Sequence, residues 1–130
     1  MIRALVLAAA TACGGAKPAP QPPRVDTRAL AAELDAQMGE VAAIIRTRKN
    51  ECPRMASELR AVFARMTVSL ERARLAQQDL EIAKQLTTDM RAYDAVSAQR
   101  VAAIGSDFTV DAPCARDPAV RDALQTMPTL

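Results

Sequence analysis

The sequence predicts an all-α fold: a three-helix bundle with a short C-terminal helix, closed by one disulfide. Three observations lead there. Apolar residues recur at helical spacing through the body of the chain, alanine is the commonest residue, and only Phe63, Tyr93 and Phe108 are aromatic. Strong helix formers with thin side chains suit packed helices and suit a sandwich or barrel poorly. The 130 residues make one small domain at most once a targeting segment is set aside.

The first helix is expected over 27–49. Leu30, Leu34, Met38, Val41 and Ile45 recur at steps of four, four, three and four, one stripe of a helix. Asp26 or Thr27 can cap its start. Arg46, Arg48 and Lys49 crowd its end, where positive charge complements the dipole. Gly39 costs helix propensity and marks a candidate close crossing.

The second helix is expected over 53–76, with Pro53 suited to the first position. Its stripe is Met55, Leu59, Val62, Phe63, Met66, Leu70 and Ala73. A third stripe runs Ile82, Leu86, Met90, Tyr93, Val101 and Ile104, with polar Ser97 taking one step. The phase slips between Ala76 and Leu80, so the chain turns there and Asp79 caps a third helix over 80–105, stopped by Gly105. Folding back covers an apolar stripe that a single long helix leaves bare. Asp117 and Pro118 open the short helix over 118–126.

The cysteines agree with the turn. Cys52 stands just before the second helix and Cys114 shortly after the third. A hairpin near residue 79 brings them to one end. A straight helix from 53 to 104 separates its ends by roughly 75 Å, and the loop after it reaches only about 30 Å. A redox pair or thiolate metal site is the alternative, but neither cysteine belongs to a CxxC and there is no histidine to complete a shell.

The missing histidine also excludes a Ser-His-Asp triad, a His-ligated haem and an imidazole switch. Seventeen basic against 15 acidic residues give +2, too even to draw nucleic acid strongly. Glu33 with Glu40, or Asp89 with Asp94, are candidate acid/base pairs, against the simpler reading of solvated helix faces. Met38, Met55, Met66 and Met90 are candidate soft-metal ligands, against core filling. Arg60, Arg65, Arg72, Arg74, Arg91 and Arg100 read as solubility rather than phosphate contacts. The expectation is no catalytic centre, no metal and no cofactor.

The first residues read as an address. Arg3 precedes an apolar run from Ala4 to Ala12, too short for the ~20 residues a membrane span needs. Cys13 and Gly14-Gly15 follow. This resembles the lipobox of bacterial lipoproteins, which implies a signal peptide over 1–12 and lipid attachment at Cys13. Gly14 after the cysteine favours the outer membrane by the enteric sorting rule. Ala10-Thr11-Ala12 also fits ordinary signal cleavage, which leaves a secreted or periplasmic soluble protein as the alternative. Residues 13–25 then form a tether with half of the eight prolines, extended by roughly 30 Å, before a helical domain over 26–130.

Cys52-Pro53-Arg54-Met55-Ala56, Ala92-Tyr93-Asp94, and Cys114 followed by Asp117-Pro118-Ala119-Val120 resemble a group of uncharacterised small bacterial lipoproteins. The resemblance covers about 52–126 and implies a disulfide-closed helical bundle without a known activity. Leu86-Thr87-Thr88-Asp89-Met90 begins like the L-T-x-x-Q motif of periplasmic helical chaperones, with methionine in place of the glutamine. The function expected is a membrane-tethered binding or scaffold module for an envelope protein. The alternative is a chaperone-like binder of unfolded exported proteins.

Overall fold

The computed structural model describes residues 14–15 and 24–129. The expected signal peptide, Cys13 and most of the expected tether lie outside them. The described residues form five helices: α1 Thr27–Thr47, α2 Cys52–Ala76, α3 Leu80–Arg91, α4 Asp94–Asp107 and α5 Pro118–Gln125. Among the described residues no helix is long and apolar enough to cross a membrane.

The helix starts follow their caps. The Asp26 carboxylate accepts from the Ala29 amide, Asp79 from Glu81 and Ile82, and Asp117 from Val120. Pro sits in the first turn of both α2 and α5. The turn between α2 and α3 falls at Gln77–Asp79, and α1 stops at Thr47, two residues short of expectation.

α1 is the shared partner, packing on α2, α3 and α4, while α5 packs on α2. Across the α1–α2 seam the pairs Glu33–Arg72, Gln37–Ser69 and Glu40–Arg65 count in opposite directions, so the two helices are antiparallel. From α1 to the returning arm the pairs Thr27–Asp89, Asp35–Arg100 and Arg46–Asp107 rise together, so α3 and α4 retrace α1.

Two apolar cores result. At the disulfide end Val41, Ile44 and Ile45 of α1 meet Met55, Leu59, Val62 and Phe63 of α2, with Val120 and Ala123 of α5. At the far end Leu30, Ala31 and Leu34 meet Ala73 and Leu86. The predicted stripes of α1 and α2 supply both. Cys52 and Cys114 meet as a disulfide, Cα atoms 5.2 Å apart.

The third arm departs from expectation in three ways. It is two helices rather than one: the amides of Ala92 and Tyr93 bond to carbonyls three residues back, the tight pattern of a helix end, before α4 starts at Asp94. Gly105 does not stop it, for α4 runs on to Asp107. Val101 is 59% exposed and Arg100 takes the inward position instead. The reason lies opposite: Gly39 has no Cβ, and the Arg100 guanidinium fills the space 3.3 Å from where one would be. From there it donates to the Asp35 carbonyl at 3.0 Å and to the Asp35 carboxylate. Gly39 therefore marks the close approach of α4 to α1, through an arginine side chain.

The bridge spans 62 residues of chain, and closing such a loop stabilises by about 4 kcal/mol on chain entropy. Replacing both cysteines, Cys52→Ser with Cys114→Ser, is expected to lower unfolding stability by about that amount in denaturant titration. Phe63→Ala, which empties the largest buried side chain, is expected to cost about 3–5 kcal/mol by the same measurement.

Candidate functional site

Two places gather chemistry away from the disulfide. The first is a polar seam between the two cores. Ser69 on α2 is completely buried. Its hydroxyl donates to Glu33 Oε1 at 2.6 Å and accepts from Gln37 Nε2 at 2.9 Å. Arg72 closes the seam with bonds of 3.2 and 2.9 Å to the two Glu33 oxygens. Gln37 Oε1 is buried without a hydrogen-bond partner among the described residues. Helix spacing explains the grouping: Glu33 and Gln37 are one turn apart on α1, and Ser69 and Arg72 one turn apart on α2.

The Ser69 hydrogen bond, and then the Arg72 guanidinium, hold the Glu33 carboxyl below its ordinary range against the opposing effect of burial. Glu58 is lowered in the same way by Arg48 and Arg54, and Glu71 by Arg74. A carboxylate held by arginine keeps its charge and makes a poor proton donor.

The suspected acid/base pairs are separated by their partners. Glu33 serves the seam, while Glu40 pairs with Arg65 at 2.5 Å. Asp89 accepts from Thr27 at 2.6 Å and from Gln85 at 3.0 Å. Asp94 stands in the first turn of α4. Of the arginines read as solubility, Arg65, Arg72, Arg74 and Arg100 each hold a carboxylate.

The second place is a half-open apolar cleft of about 260 Å³. Its floor is Leu34 and Met38 on α1, and one wall is Met66 and Leu70 on α2. Met90, in the last turn of α3, lines the opposite wall, continued by Tyr93, Asp94 and Ser97, and Pro128 of the C-terminal segment also lines the cleft. The cleft exists because α4 packs on α1 and not substantially on α2. Ser97 stands where the stripe needs a large residue, and its short side chain leaves a gap toward Met66 and Leu70 of α2.

Three of the methionines read as core filling or soft-metal ligands thus share one cavity, although Met38, Met66 and Met90 lie far apart in sequence. Met55 lies apart from them, buried at the disulfide end. The polar Ser97 step was the visible trace of the cleft. Its mouth depends on which helices fail to touch, and no local pattern records that.

Ser69→Ala removes the donor to Glu33 and the acceptor for Gln37 together. It is expected to cost about 1–3 kcal/mol in denaturant unfolding. The Glu33 carboxyl is expected to move up toward its ordinary value in an NMR titration. Acid acts on the same groups. With folded values below 4.5, the unfolded chain binds more protons in the interval between, so these ion pairs stabilise above about pH 4.5 and lose that effect as the pH falls further. Thermal unfolding is expected to hold level from pH 7 to about 5 and to drop below about 4.5, with a smaller drop in Glu33→Gln.

Comparisons with known protein families, curated proteins and solved structures find no match to this chain.

Proposed function

We propose that this chain is a membrane-tethered lipoprotein of the bacterial cell envelope, its helical body a non-catalytic binding module for an envelope protein. One observation carries the reading: an apolar run, Cys13, a proline-rich stretch and a helical body follow one another in that order. Lipid chains on Cys13 provide the anchor, and the extended stretch holds the body off the surface. In this reading α3 and α4 together form the third arm of a three-helix bundle, with α5 as its C-terminal addition. The arginine-held carboxylates favour a binding role over acid–base chemistry.

The half-open cleft, with exposed Leu75, Leu80 and Val101 elsewhere on the surface, supports a second reading, a chaperone-like binder of unfolded exported chains. Suppression of aggregation by light scattering separates the two.

The intact mass of the membrane-extracted protein tests the address. A chain that begins at Cys13 and carries added acyl mass is the expected result; an unmodified N-terminus elsewhere overturns the tether. Cross-linking in native envelopes is expected to trap one recurrent protein partner on the body. A spread of unrelated denatured chains instead supports the chaperone reading.

A further inference from the structure

We propose that the cleft between α2 and α4 binds a small apolar cation: a quaternary or protonated amine on an aliphatic body of roughly ten non-hydrogen atoms. This deepens the binding-module reading and does not depend on the membrane address.

Size and lining set the body. An apolar cavity of about 150 Å³ accepts a benzene ring, so about 260 Å³ accepts a compact chain nearly twice as large. Leu34, Leu70 and the methionines Met38, Met66 and Met90 offer an adaptable, polarizable surface for it.

Charge sets the head group. The two carboxylate side chains in the lining are Asp35 and Asp94. Arg100 already neutralises Asp35. Asp94 has no ion-pair partner among the described residues and is exposed at the mouth. Beside it the Tyr93 ring offers a face on which an ammonium group is attracted. Among the described residues no lysine or arginine lines the cleft, and Arg100 behind it is engaged by Asp35, so a carboxylate or phosphate head faces the unpaired Asp94 carboxylate. Fatty acids and phospholipids are thereby disfavoured.

Tyr93 also supplies the readout. It is the sole tyrosine of a chain without tryptophan, so intrinsic fluorescence reports on Tyr93. Tyr93 lines this cleft and also a more open pocket beside Arg28 and Asp89; Ser97→Leu, on the cleft side only, separates the two. The full chain is titrated with hexyltrimethylammonium, with neutral hexanol and with hexanoate. A saturable change is expected for the cation, with Kd on the order of 0.1–1 mM for a ligand of this size. Hexanol is expected to bind at least fivefold more weakly and hexanoate not measurably. Asp94→Asn is expected to weaken the cation at least fivefold and leave hexanol unchanged. Ser97→Leu fills the cleft from its α4 wall and is expected to abolish both signals while thermal unfolding stays level or rises.

Equal affinity for cation and alcohol, an indifferent Asp94→Asn, or tighter hexanoate binding overturns the charge assignment. A linear, non-saturating response, or full binding by Ser97→Leu, overturns the site. None of these outcomes alters the mass of the mature N-terminus or the envelope cross-linking, so failure here is distinguishable from failure of the proposed function.

Discussion

The Cys52–Cys114 bridge constrains everything else in the body. It fixes two residues 62 apart in sequence to a Cα separation of 5.2 Å. Whatever lies between must leave that end and come back. α2 is the outward path, and α3 and α4 are the return. The end where they meet holds the larger core, with Phe63 at its centre and α5 laid against α2 by the chain that follows Cys114. An alanine-rich domain of this size has little apolar area to spend, so the covalent closure and the arginine–carboxylate pairs supplement a thin core.

The return path retraces α1 rather than α2, and that choice produces the cleft. α4 is held to α1 by Arg100 reaching Asp35 over Gly39, and by Asp107 meeting Arg46 and Lys49 at 3.4 and 3.3 Å. These are polar attachments on a helix without a fully buried side chain. With α4 packed chiefly on α1 and the short Ser97 on the side of the cleft, a gap opens toward α2. The break at Ala92–Tyr93 then sets Tyr93 in the wall of that gap and opens α4 at Asp94, at its mouth.

Much of the frame was legible in the sequence because its signals are local. The caps Asp26, Asp79 and Asp117 act within a turn of where they stand, and the α1 and α2 stripes repeat with the helix period. The cysteine pairing followed from reading Cys13 as a lipid site, which leaves two cysteines, and from a hairpin that brings Cys52 and Cys114 to one end. The third arm was less legible because tertiary packing decides it. Nothing at Ala92–Tyr93 is a glycine or proline, and the only trace is Arg91 ending one helix while Asp94 begins the next, each suited to the dipole end it occupies. Gly105 looked like a stop, yet it does not take the left-handed conformation of a helix-ending glycine, and α4 runs through it to Asp107. Arg100 outcompeted Val101 for the inner face because a guanidinium, a carboxylate and the gap above Gly39 coincide, and three residues on two helices are needed to see that. The Ser69 seam was missed for the same reason: a lone serine beside an apolar stripe says nothing until Gln37 and Glu33 are placed across from it.

The central claim is that the chain doubles back so that two distant sulfurs close one end of the body. Peptide mapping of the purified protein without reductant tests it most directly. The account predicts a single linked pair, the peptide holding Cys52 joined to the peptide holding Cys114 of the same molecule, with no free thiol at either. Free thiols at both positions in protein prepared from an oxidising compartment, or linkage only between separate chains, would contradict it.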